Sequence, residues 1–366
     1  MRVPIMAVAT ATPSHQLSQG NALAMTQRIC CVDERQSRLA SALYKKSGVQ
    51  NRHTSLPSTE AYRWAPVSQP TEIPMPNVGP STQERMALYE QHALPLALQA
   101  SSEALARAAI AADAITHVVT VSCTGFTAPG IDSGLIREMH LRPSTQRIQV
   151  GYMGCHGAIN GLRVAHGLGH TDSRSRILLC AVELCSLHYC FHWSSERMLG
   201  NALFADGAGA VVLGAEPDSS LSPALGRWRL AATGSCLFPN TAEIMTWNIE
   251  NHGFAMTISS RLPELIQEHL SAWLTAWLAE NNLSVNDVQS WAVHPGGPKI
   301  LEAVEMAMGI NSDKIQVSRD VLCDFGNMSS ATVLFILESL LDQGASAPCV
   351  MLGFGPGLVA EAALLL

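Results

Sequence analysis

STQRIQVGYMGCHGAINGLRVAHGL, residues 144–168, changes periodicity at its middle. STQRIQV has the β-branched and alternating character of a strand, GYMG is a turn, and Ile159, Leu162 and Val164 or Ala165 then recur at helical spacing. Strand, turn and helix follow one another with a cysteine, Cys155, at the bend. The same alternation runs outward along the chain. THVVTVSC (116–123), RILLCAVEL (176–184), GAGAVVLG (207–214), SWAVH (290–294) and CVMLGFG (349–355) are near-continuous apolar runs of strand length. Such runs suit strands covered on both faces. Between them lie helical segments at 84–110, broken or kinked at Pro95, at 158–168, at 262–280 and at 329–343. The expected class is layered α/β. MRVPIMAVATATP at the start reads as a strand running into a Thr-Pro turn. PVSQPTEIPMPNVGPST (66–82) reads as a surface loop, and EPDSSLSPALG (216–226) as a central linker between two halves, 1–218 and 219–366.

Bulk composition narrows the partners. The 366 residues are 47% apolar and 14% charged, with a formal net charge of −7. A large core is available, and without a long basic run nucleic acid is not the expected partner. Nothing reaches the length of uninterrupted apolar sequence that a membrane span requires. The N-terminus, with one Arg and an early Pro, makes a poor export signal, so a cytoplasmic protein is expected. Its ten cysteines (Cys30, Cys31, Cys123, Cys155, Cys180, Cys185, Cys190, Cys236, Cys323 and Cys349) are then most simply free thiols.

Three polar residues stand in turns where chemistry is expected. Cys155 at a strand-to-helix turn would feel the helix N-terminus, which favours a thiolate. Its other reading is a small core residue. His294 ends the run WAVH before PGG, at the carboxyl end of a strand, where α/β folds bind ligands. Asn327 precedes an apolar helix in DFGNMSSA, where it or Ser329 also suits an N-cap. Together they form a Cys, a His 139 residues later and an Asn 33 residues after that. A thiolate needs a basic or cationic partner, and oxyanions need positioned donors. CAVELCSLHYCFHW (180–193) brings Cys185, His188, Cys190 and His192 close in sequence. In a strand the last three would share a face, but the spacing fits no standard zinc pattern, so lining or core is expected and no metal. GFGPG (353–357) lacks the features of a phosphate loop.

With MAVATATP near the start, CTGFTAPGID (123–132), GNALFADGAGA (200–210), HPGGP (294–298), GNMSSA (326–331) and GFGPG in this order, the chain resembles the type III polyketide synthases, the chalcone synthase-like group of the thiolase superfamily. The resemblance runs nearly end to end. It implies a five-layered αβαβα thiolase fold with two pseudo-equivalent halves, the first carrying Cys155 and the second His294 and Asn327. It implies a homodimeric acyltransferase that condenses malonyl-CoA decarboxylatively onto an acyl-CoA starter and cyclises the product to a phenol or pyrone. CoA thioesters would be the substrates, with no cofactor and no acyl carrier protein.

By motif position, Cys155 resembles the acyl-carrying nucleophile, His294 the residue that stabilises thiolate and oxyanion, and Asn327 its helper in decarboxylation. Phe204 matches a gatekeeper phenylalanine, and Gly353, Phe354, Gly355, Pro356 and Gly357 a pocket-shaping loop. Lys46 in YKKSG matches a lysine that contacts CoA phosphates; two further basic positions of the family are missing, with Arg38 a possible substitute. Lys299 and Ser329 join the substrate-binding candidates. Several positions depart from the plant pattern. Cys123 and Thr124 stand for Thr-Ser, Cys185 and His188 for pocket threonines, and Trp247 for a pocket glycine. Met256, near Phe254, stands for the second gatekeeper. These point away from chalcone itself. A ketoacyl synthase III-like enzyme, a papain-like hydrolase and a non-catalytic binding protein are the rivals. His156, beside the nucleophile, has no role in the resemblance.

Overall fold

A computed structural model describes residues 2–64, 79–172, 174–214 and 228–366, apart from the side chain of residue 62. Most of the expected 66–82 loop and all of the 216–226 linker lie outside these. The strands are β1 (Val3–Ala11), β2 (His15–Ser18), β3 (Asn51–Thr54), β4 (His117–Ser122), β5 (Gln146–Gly151), β6 (Arg176–Leu184) and β7 (Asp206–Gly214). Then come β8 (Arg229–Leu237), β9 (Met245–Glu250), β10 (Gly253–Ile258), β11 (Ser290–Val293), β12 (Cys349–Gly355) and β13 (Val359–Leu365). The helices are α1 (Gln19–Cys30), α2 (Glu34–Lys46), α3 (Ser58–Trp64), α4 (Thr82–Ala108), α5 (Ile131–Glu138) and α6 (Gly157–Thr171). The remainder are α7 (Met198–Leu203), α8 (Leu262–Glu280), α9 (Pro298–Met308), α10 (Gln316–Phe325) and α11 (Thr332–Asp342).

Nine strands form one sheet in the order β11-β12-β13-β8-β1-β7-β6-β4-β5. Its two sides repeat each other. From β1 outward the pairings are antiparallel to β7, antiparallel to β6, then parallel to β4. From β8 outward they are antiparallel to β13, antiparallel to β12, then parallel to β11. The halves meet through a short pairing, Val3 with Leu230 and Pro4 with Arg229. β5 is an extra strand on the first half, and among the described residues its outer edge is unpaired.

Three apolar clusters separate the layers. One packs α4 and α5 on the outer face of the first half. Another packs α8 and α9 on the outer face of the second. The third lies between the half-sheets and contains α6 and α11. This is the αβαβα order. α11 is central because TVLFILESLLD is apolar around its circumference, and such a helix must be covered on all sides. α6 gets close by using small residues: a Cβ on Gly161 would stand 2.8 Å from Leu179.

Several local expectations are corrected. α4 runs unbroken through Pro95. The end of the expected 66–82 loop is already the helix cap, with Ser81 and Glu84 forming a capping box. The 329–343 helix opens with a 3-10 turn, Ser329–Ala331. The strand at 176–184 stops before the Cys/His cluster, where Cys185–His188 is a 3-10 turn, so His188, Cys190 and His192 share no strand face.

Candidate active site

Cys155 stands in the turn between β5 and α6, two residues before the helix begins. Gly154 makes this turn possible. Its φ is +78°, and a Cβ there would lie 2.4 Å from Pro356. His294 follows the end of β11, where its backbone N–H donates to Leu352 O at 2.8 Å. Asn327 is held by a bridge to the Phe204 segment: its N–H donates to Leu203 O and its carbonyl accepts from Ala205, both at 2.9 Å. All three are buried. Asn327 Oδ1 accepts from the Ser329 N–H at 2.8 Å, and the Asn327 side chain acts to lower the Cys155 pKa.

Ser329, at φ +48°, presents its hydroxyl to two thiols. Its Oγ lies 3.0 Å from Cys123 Sγ and donates to Cys155 Sγ at 3.7 Å. Beneath them Glu183 is fully buried. Its carboxylate accepts from the Cys123 N–H at 3.0 Å, from Thr124 Oγ1 at 2.6 Å and from Ser330 Oγ. Glu183 was not expected from the residues, although one acid inside the apolar run RILLCAVEL was a visible signal. Burial raises its pKa against these donors.

Electrostatics corrects one expectation. Cys155 is not a standing thiolate: burial pushes the thiol up to about 12, against the lowering hydrogen bonds from Ser329 and Asn327. Burial, with His156 nearby, pushes His294 down to about 3. Both shifts favour the neutral forms. Among the described residues, neither ring nitrogen of His294 has a hydrogen-bond partner.

A space of about 10 Å³ adjoins Cys155, bounded by Cys123, Thr124, Gly154, Cys185, Met245, Ser329 and Pro356, among others. Cys185, Phe204, Trp247 and Met256 line both it and a cavity of about 510 Å³. Trp247 is one of these four shared wall residues. Its indole N–H donates to Cys123 O at 2.7 Å. His188 braces it edge-on, with ring centres 5.4 Å apart, and stacks on Phe254 at 4.2 Å. His188 Nε2 donates to Thr124 O at 2.6 Å while Nδ1 accepts from the Phe254 N–H at 2.9 Å, so it is a locked neutral wall. Burial holds its pKa near 3.

Other candidates fall outside both spaces. Phe354 packs in the cluster of α8 and α9. Gly353 and Gly355 face His156 instead. Lys46, at the end of α2, and Lys299, in the first turn of α9, are exposed and line neither cavity. Cys190 donates to His192 O at 3.3 Å, and among the described residues no group of three or more His, Cys, Asp or Glu is placed to hold a metal ion. No described helix is long and apolar enough to cross a membrane.

The N-terminal domain profile of chalcone and stilbene synthases matches residues 2–217, and the C-terminal domain profile matches residues 229–366. An "alpha-pyrone synthesis polyketide synthase-like Pks18" from Mycobacterium tuberculosis is 32% identical over 98% of this chain and 90% of that protein. A 1,3,6,8-tetrahydroxynaphthalene synthase from Streptomyces peucetius is 33% identical over 99% of this chain and 92% of its own. Among solved structures, PKS-I from the brown alga Ectocarpus siliculosus superposes with a TM-score of 0.90 at 28% identity, covering 100% of this chain and 98% of that one.

Proposed function

From the premise that the chain belongs to the chalcone and stilbene synthase family and is a type III polyketide synthase, we propose that Cys155, His294 and Asn327 are its catalytic residues, with the halves 1–218 and 219–366 each supplying part of the site. An acyl-CoA transfers its acyl group to Cys155: the thiol proton passes to His294, the S–C bond to CoA breaks, and the departing CoA thiolate takes that proton and leaves as CoASH, so His294 is neutral again. Malonyl-CoA then loses CO2, with His294 and Asn327 as hydrogen-bond donors to the enolate oxygen. The enolate carbon attacks the Cys155 thioester, a C–C bond forms, and the thiolate leaves. Repetition lengthens the chain, and cyclisation releases it. A neutral His294 suits this work, because an imidazolium would protonate the enolate rather than only bind it.

The observation that carries the substrate reading is the pair of unequal spaces on either side of Trp247. About 10 Å³ beside Cys155 cannot take an acyl chain, whereas the 510 Å³ cavity beyond, lined by Leu17, Met25, Leu56, Trp64, Tyr189 and Phe191, can. We therefore assign the starter's apolar chain, or the growing chain, to that cavity, reached by displacement of the Trp247 wall. Lys46 and Lys299 are assigned to the CoA phosphates, with CoA thioesters as the only small molecules the reaction needs. A second copy is the proposed partner. The unpaired edge of β5 and the exposed Phe126, Tyr152 and Met153 support a homodimer. A cytoplasmic location completes the reading.

The test is mass spectrometry of products from a panel of acyl-CoA starters with malonyl-CoA and no carrier protein. Pyrones or phenols absent from Cys155→Ala support the reading. Extension that requires an acyl carrier protein would transfer the enzyme to the ketoacyl synthase III type.

A further inference from the structure

His156 follows the nucleophile directly and is buried, 2% exposed, like His294. The two histidines flank one point of β12. His294 is bonded through its backbone to Leu352, and the His156 ring lies against the next residues, Gly353 and Gly355. The slot is shaped for that ring: a Cβ on Gly355 would stand 2.3 Å from His156 Nε2, and one on Gly353 would stand 3.1 Å from His156 Cβ. His156 Nδ1 lies 2.7 Å from Asn160 Oδ1, an atom that only accepts. The proton of neutral His156 therefore sits on Nδ1, and Nε2 keeps its lone pair.

The charged groups around this ring come from three elements. α6 contributes Arg163, β13 contributes Glu361, and His294 stands at the end of β11. Glu361 is 2% exposed, paired with Arg163 and accepting from Ser235 Oγ at 2.7 Å. Gly353, Phe354 and Gly355 of β12 add no charge.

We infer that His156 is the second proton site of this centre, a positioning residue that acts through His294. When Cys155 is activated its S–H bond breaks and an N–H bond forms on the imidazole pair, leaving the net charge of the site unchanged. The incoming proton is held at Nε2 of His156, while the Nδ1–H bond to Asn160 Oδ1 and the nearby charge of Glu361 stabilise the resulting imidazolium. His294 is thereby left neutral, with a ring N–H for the oxyanion. The electrostatics agree in direction. Burial lowers both imidazoles, but Asn160 and Glu361 pull His156 back up, whereas His294 has no such support.

This inference rests on the Cys155–His294 pairing proposed above, and the experiment separates the two. The rate of Cys155 alkylation by iodoacetamide is followed against pH, reading the Cys155 peptide by mass spectrometry because nine other thiols are present. In His156→Gln the alkylation rate at neutral pH falls roughly tenfold, the effect of raising the thiol's pKa by about one unit. In Asn160→Ala it moves the same way by less, and this variant carries the test should His156→Gln not fold. Wild-type profiles in both variants overturn the inference and leave His156 as packing between α6 and β12. A wild-type profile in His294→Gln overturns the underlying pairing instead.

Discussion

Trp247→Ala tests whether one side chain separates the nucleophile from the large cavity. Trp247 is 8% exposed, so its truncation removes on the order of 200 Å² of buried apolar surface, about 5 kcal/mol at 25 cal/mol per Å². It also deletes the bond to Cys123 O, worth about 1 kcal/mol. Against this, the vacated volume joins the existing 510 Å³ cavity and fills with water, so no sealed void remains. The net cost should fall near the low end of the range for large aromatic truncations, about 3 kcal/mol, which a domain of ordinary stability survives. Urea denaturation measures the cost. Liquid chromatography with mass spectrometry then compares products across starters of increasing chain length. Longer starters should be accepted and products should carry at least one more extension unit, because the space beside Cys155 is no longer confined to about 10 Å³. A folded variant with the same starter range and the same products would refute the partition.

Further perturbations bear on the rest of the site. Cys155→Ala should abolish condensation, and Asn327→Ala should mainly slow malonyl-CoA decarboxylation, by roughly 10²-fold if Asn327 is an oxyanion donor; unchanged CO2 release would remove it from that role. Gly355→Ala, whose Cβ would also lie 2.9 Å from Met153 O, should cost about 1–3 kcal/mol and displace the His156 ring; a midpoint of unfolding equal to wild type would show the slot to be loose. Stability should fall as pH drops below about 6.5 towards 3. His188 and His294 are held near 3 in the fold, so the unfolded chain binds more protons in that window, and each unit costs about 1.4 kcal/mol per histidine. Urea midpoints at pH 7, 6 and 5 check the slope; equal midpoints would contradict it, and His188→Gln should flatten it.

Much of the architecture was legible because local rules and global packing agree. The strands at 176–184 and 349–355 and the helix at 262–280 match their predicted limits because apolar runs and periodicity are local properties. α4 passing through Pro95 and the 3-10 turn at Cys185–His188 were not legible, since packing against the sheet and the bonds to Thr124 and Asp206 decide them. For the site, the order Cys155, His294 and Asn327 in their turns was enough to name candidates. Phe354, assigned by motif position, packs in the cluster of α8 and α9, and motif position alone does not say which face of β12 a residue takes.

By itself the sequence determined the layered α/β class and the strand-to-helix turn that carries Cys155, since each depends on residues close together along the chain. Only the tertiary structure decided the electrostatic and steric state of the site. Burial keeps Cys155 and His294 neutral, Glu183 ties Cys123, Thr124 and Ser330 together, and Trp247 divides two unequal spaces. Those properties depend on groups tens to hundreds of residues apart being excluded from water together.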